Sequence, residues 1–224
     1  MGIFLRWNWI KRNWQYILEE AQELGLVFVG GTALNLVVFD EYRASEDIDL
    51  YNPDSKGPDN PDGKSEEELV KILSERLAKK GFEIKDIQDR MFFIGPNIKV
   101  EAFHDSTPFG KIKKIERNGA EFNIFDADTY AEMKMAALLC RTVYDPRDLV
   151  DVFIIHERGK IKLPMPNREC EVLEHSFSAR LSEIKRTKLE DLLLFQSKEQ
   201  IDSLPYERFK KFERWLVEWL SKFL

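Results

Sequence analysis

FVGGTALNLVVFDEYRASEDIDLY, Phe28 to Tyr51, is the stretch on which the reading of the whole chain turns. Val29 ends a short apolar run, Gly30 and Gly31 interrupt it, and TALNLVVF then continues with the apolar density of a helix. EDIDLY (46–51) alternates acidic and apolar residues with the two-residue period of a half-buried strand. That period places Asp47 and Asp49 on one face and turns Ile48 and Leu50 to the other. Two carboxylates on a rigid strand face repel each other unless a cation lies between them, and hard oxygen donors suit Mg²⁺ or Mn²⁺. A solvated acidic face is the plainer explanation of the same pair. Gly30 and Gly31 allow close backbone approach and aim the positive end of a helix at an anion, and Thr32 adds a hydroxyl. A tight turn needed only for packing explains the glycines equally well.

Working outward, the first 24 residues carry Ile10, Trp14, Ile17, Leu18, Ala21 and Leu24 at helical spacing, a core stripe rather than a membrane-surface face. Asn52 to Lys64, NPDSKGPDNPDGK, has turn chemistry and is expected to be a mobile loop. Its GPDNPDGKS resembles a phosphate-binding loop only superficially. Two prolines remove amide donors, and two aspartates repel phosphate. Ser65 and Glu68 form a capping box for a helix to about Lys80, with Leu69, Ile72, Leu73 and Leu77 inward. Strands are expected near 82–87, 91–95, 98–103, 111–116 and 120–125, separated by GPN and RNG turns. From Asp126 the pattern is helical, with Asp128 expected to cap TYAEMKMAALLCR and Pro146 opening the next helix. The expected architecture is α+β: an α/β domain over 1–126 and a helical domain over 127–224.

The chain has 224 residues, 43% of them hydrophobic, which suffices for a substantial core. Cys140 and Cys170 lie far apart, so neither a disulfide framework nor a thiolate zinc site is expected, and a reducing, cytoplasmic setting fits. No apolar run reaches the roughly 20 residues that span a bilayer, so no membrane partner is expected. Residues 40–68 hold eleven Asp or Glu, whereas 158–188 hold eight Lys or Arg against four Glu. With KIKK (111–114), that basic stretch favours a polyanionic partner, although any one such run is more often a solvated face. Phe209, Phe212, Trp215, Leu216, Trp219, Leu220 and Phe223 share one side of a C-terminal helix and are expected in core or domain packing, with a partner-binding face as the alternative.

The Gly-Gly turn followed by Asp-x-Asp resembles the signature of the nucleotidyltransferase fold, the DNA polymerase β superfamily. GGTAL (30–34), RASEDIDL (43–50), KMAALLCR (134–141) and RDLVDVF (147–153) resemble, in order, the motifs of its AbiEii toxin family. The resemblance covers roughly 26–156 and implies a mixed β-sheet with flanking helices, followed by a helical domain. It implies that Asp47, Asp49 and a third carboxylate on a later strand hold the metal ions. Glu101 in IKVEAF is the candidate, in place of the commoner aspartate; sharing a strand face with Lys99, it is otherwise a structural ion pair. The resemblance places Gly30, Gly31, Thr32 and Ser45 at the nucleotide, brings Lys134 to its phosphates and makes Asp148 a support, with Arg147 and Asp151 beside it. An ion-pair network between adjacent helices is the structural alternative for those residues. The fifteen residues between Gly31 and Asp47 exceed the family's usual gap.

The implied activity is transfer of a nucleoside monophosphate from an NTP to an acceptor hydroxyl, with Mg²⁺ or Mn²⁺ as cofactor. The implied acceptor is the 3′ end of tRNA or another nucleic acid, and the implied partner is a cognate antitoxin. The alternative is a catalytically inactive module of the same fold that binds nucleotide or a protein partner.

Overall fold

The computed structural model describes residues 2–39, 41–104, 110–117, 119–165, 171–187 and 206–223, the side chains of 171–176 aside. The chain divides into two compact units, one of Met1–Asp40 with Ala44–Asp126 and one of Glu41–Arg43 with Ala127–Leu224. No helix among the described residues is long and apolar enough to cross a membrane.

The first unit is a seven-stranded mixed sheet. Its strands are β1 (Val27–Val29), β2 (Asp47–Tyr51), β3 (Ile84–Gln88), β4 (Met91–Ile94), β5 (Ile98–Phe103), β6 (Ile112–Arg117) and β7 (Ala120–Phe125). Their spatial order is β3-β4-β5-β2-β1-β7-β6, so the acidic strand β2 is the central one. It runs antiparallel to β1 and parallel to β5, while β1 runs parallel to β7. Helices α1 (Ile3–Glu23) and α3 (Glu66–Lys79) pack against the sheet and each other, with Arg76 and Lys80 both paired to Glu20. Trp14 anchors α1, stacking on Phe28 at 6.3 Å and meeting Phe122 edge-on at 5.3 Å.

The capping box forms as its sequence requires: the Glu68 amide donates to Ser65 Oγ, and the Ser65 amide donates to Glu68 Oε2. The preceding loop is knitted by local bonds rather than open. The Gly57 and Asn60 amides donate to each other's carbonyls, and the Asn52 amide side chain donates to the Lys64 carbonyl. The helix after Gly30 is irregular. A short α2 (Gly30–Ala33) passes into a π-turn (Leu34–Val38), closed by the Phe39 amide donating five residues back to Leu34. A π-turn holds more residues than an α-turn, which accommodates part of the long interval before Asp47.

The second unit contains α4 (Ala127–Cys140), α5 (Pro146–Gly159), α6 (Glu171–Arg186) and α7 (Tyr206–Leu220). Its core includes Phe153, which meets Phe209 edge-on at 5.3 Å and Phe212 at 5.4 Å. Asp145 caps α5 by accepting from the Arg147 amide, with Pro146 in the first turn. Three expectations are corrected. α4 starts at Ala127, so Asp128 lies in its first turn and is not its cap. Cys140 is disulfide-bonded, which the spacing of the cysteines did not suggest; Cys170, like Arg168 and Lys188 of the basic stretch, lies outside the described residues. The apolar side of α7 divides: Phe209, Phe212, Leu216 and Leu220 are buried, whereas Trp215 is 40% exposed and Phe223 55%.

Candidate active site

The register of β2 builds the first cluster. Asp49 lies opposite Val29 on one side and Glu101 on the other, and Asp47 lies opposite Lys99. Because alternate residues share a face, Asp47, Asp49, Lys99 and Glu101 come together on one patch of the sheet. All four are half-buried, while Ile48, Leu50, Val100 and Ala102 on the same strands are fully buried. The cation that this acidic patch demands is present within the chain. Lys99 Nζ donates to Glu101 Oε2 at 2.6 Å. Burial pulls the Lys99 ammonium toward neutrality, but the bond to Glu101 and the charges of Asp47, Glu101 and Asp49 outweigh it and leave its pKa above the ordinary value.

Gly30 serves this cluster sterically. It has φ +77°, a left-handed conformation that side chains resist, and a Cβ built there would stand 2.1 Å from Asp49 Oδ2. The missing side chain therefore leaves the space that the carboxylate fills. Gly30→Ala is expected to lower stability by about 1–3 kcal/mol and to displace Asp49, so that activity falls by more than the folded fraction does. Urea denaturation and turnover measured on the same preparation check this.

The Thr32 hydroxyl is buried and shares its proton between Ser45 Oγ at 2.6 Å and the Asp47 carbonyl at 2.5 Å. Thr32 and Ser45, both expected at the nucleotide, thus clasp the start of α2 to the start of β2. Asn35 adds a second local tie by donating to the Gly31 carbonyl at 2.7 Å.

Lys134 and Asp148 belong to the second unit and meet there. Lys134 Nζ lies 3.1 Å from Asp148 Oδ1 and 2.7 Å from Asp151 Oδ2. Asp151, fully buried, also accepts from Tyr42 Oη at 2.8 Å and from Arg43 Nε and Nη2 at 2.7 and 2.8 Å. The second Asp148 oxygen lies 2.9 Å from the Arg141 guanidinium. Burial alone would raise the Asp151 pKa, yet Arg43 and Lys134 reverse this and hold its carboxyl well below the usual range. Burial likewise lowers the Lys134 pKa, and Asp151 and Asp148 more than restore it. Arg147, by contrast, pairs with Asp145.

Among the described residues, no three His, Cys, Asp or Glu side chains are placed to hold one metal ion, and Glu101 is engaged by Lys99. Asp47 and Asp49 fit such an ion by donor chemistry, being hard oxygens on one strand face beside a glycine that makes room for them. Sequence reasoning missed two contributors. Lys99 was legible as a partner of Glu101 two residues away, but not as the neighbour of Asp47 on another strand. Arg43, 108 positions from Asp151, left no local signal.

Several solved structures are similar to the chain at low identity. An antigenic nucleotidyltransferase-like protein from Paracoccidioides brasiliensis is 16% identical, with TM-score 0.48, over 84% of this chain and 94% of that one. The Megavirus polyadenylate synthase is 15% identical, with TM-score 0.44, over 80% of this chain and 37% of that one. The antibiotic-resistance factor ANT(2'')-Ia is 14% identical, with TM-score 0.42, over 78% of this chain and 95% of that one. No curated protein matches in sequence. The model of one family, the nucleotidyl transferase AbiEii toxin of Type IV toxin–antitoxin systems, matches residues 15–218. With nearly its whole length matched, and with a mixed sheet whose central strand carries Asp47 and Asp49, the chain belongs to the AbiEii nucleotidyl transferase family.

Proposed function

We propose that this chain transfers a nucleoside monophosphate from an NTP to an acceptor hydroxyl, as the toxin component of a toxin–antitoxin pair. The observation that carries the reading is the gathering of Asp47, Asp49 and Glu101 around one cationic position, beside the Gly30 turn. In the proposed reaction the acceptor oxygen bonds to the α-phosphorus. The bond from that phosphorus to the bridging oxygen breaks, and pyrophosphate leaves with the electron pair. The Glu101 carboxylate takes the acceptor's proton. Amides at Gly30 and Gly31 receive the β and γ phosphates, while Thr32 and Ser45 hold β2 in place for them. Asp47 and Asp49 are the residues that would hold Mg²⁺ or Mn²⁺, and Glu101 would become a third donor only on releasing Lys99. Such an ion, when bound, supplies charge against the phosphates and acidity to the attacking hydroxyl. Lys134 and Asp148 are assigned supporting roles, the charge of Lys134 being matched by two carboxylates of its own unit.

A nucleic-acid acceptor such as the 3′ end of tRNA is supported by Lys111, Lys113 and Lys114, all exposed at or near the edge strand β6. Family membership supports an antitoxin as protein partner. The test is incubation with each labelled NTP, Mg²⁺ or Mn²⁺, and total tRNA. Label moving to RNA with release of pyrophosphate supports transfer. The Lys99–Glu101 ion pair favours a second reading, a module that binds nucleotide without turning it over. Saturable NTP binding with no label transfer to any acceptor would establish that one instead.

A further inference from the structure

The second unit holds a cavity of about 490 Å³ that the proposed reaction does not use. It is lined by His156 at the end of α5, Lys160, Lys162 and Leu163 in the segment that follows, and Trp215 and Trp219 on α7. Its volume falls in the range of small-ligand sites, roughly 300–1,000 Å³. The rings are the informative part. Trp215 and Trp219 are four residues apart on the helix and lie 6° from parallel, with centroids 5.9 Å apart. His156 extends the array, 4.9 Å from Trp215 and 18° from its plane. Near-parallel rings with centroids 5.9 Å apart form an offset stack, in which the two faces overlap only in part. Trp215 is accordingly 40% exposed.

The electrostatics narrow the occupant. Lys160 and Lys162 are both exposed, and none of the described residues lining the cavity is a carboxylate. A purely apolar segment of another protein would gain from the indoles and leave the two ammonium groups without counter-charge. A planar ring that carries an adjacent anion satisfies both features. We infer that this cavity is a binding site for an unpaired nucleotide of a nucleic-acid strand, with its base against the Trp215–Trp219 face and its phosphate at Lys160 and Lys162. Each base stacked on an aromatic side chain contributes about 1–3 kcal/mol, and phosphate contacts add a salt-dependent part. The site is independent of transfer: it needs neither NTP nor the β2 carboxylates.

The test uses the whole chain and a fluorescein-labelled hexauridylate, followed by anisotropy and by tryptophan quenching, without NTP. Trp215→Leu is expected to weaken binding about 5- to 100-fold, while Trp215→Phe, which keeps a flat ring, retains most of it. Lys160→Gln with Lys162→Gln is expected to weaken binding and to make it less sensitive to salt, by about 1.4 in the slope of log affinity against log salt. Asp49→Asn should bind as the parent chain does, which separates failure of this site from failure of the proposed reaction. The inference is overturned if the parent chain does not bind the oligonucleotide. It is equally overturned if Trp215→Leu and the lysine pair, shown folded by circular dichroism, bind as tightly as the parent.

Discussion

Asp49→Asn and Asp47→Asn are each expected to reduce nucleotidyl transfer by about a hundred- to a thousandfold while changing stability by no more than about 1 kcal/mol. Each replacement is nearly isosteric, so the packing around Gly30 and the β2–β5 register should survive. What is lost is negative charge where the proposed reaction needs it. Both carboxylates are half-buried on a strand whose neighbours Ile48 and Leu50 carry the core, which is why activity and stability should separate. Initial rates of label transfer, beside urea denaturation of the same samples, check this. Full activity in both variants would remove the two aspartates from the mechanism.

The largest stability effect is expected at Asp151. Its carboxylate accepts from Tyr42, from Nε and Nη2 of Arg43, and from Lys134, and it is wholly buried. Removing one member of such a network strands buried cations, and Asp151→Asn should cost about 3–5 kcal/mol. The pH dependence follows from the direction of its pKa. A carboxylate held below its unfolded value stabilises the fold at pH above that value, near 3.9, and the contribution drains away as pH falls toward the depressed folded value. The parent chain should therefore lose stability steeply below about pH 4, and Asp151→Asn should lose less over the same interval. Denaturation midpoints between pH 2 and 7 measure both effects, and hydrogen exchange in α4 and α5 localises them.

The sequence carried the first unit well because its signals are local. The alternation in EDIDLY set the face of β2, and the Ser65–Glu68 pair set the start of α3. Gly30 was legible as a break between strand and helix. Its steric service to Asp49 was not, because that depends on β1 and β2 lying side by side. The same limit hid the reach of Lys99 to Asp47 and the pairing of Arg43 with Asp151, both products of tertiary placement. In α7 the helical period correctly gathered the aromatic residues on one side. It could not say that Trp215 and Phe223 would be exposed, because that depends on which elements pack against α7.

The place of β2 at the middle of seven strands has a dynamic consequence. Sheets open from their edges, and the amides of a central strand exchange with solvent only in the deepest openings. The edge strands β3 and β6 can therefore fray and reclose repeatedly while Asp47 and Asp49 keep their spacing. The residues on which the proposed chemistry depends are carried by the element of this unit that lets go last.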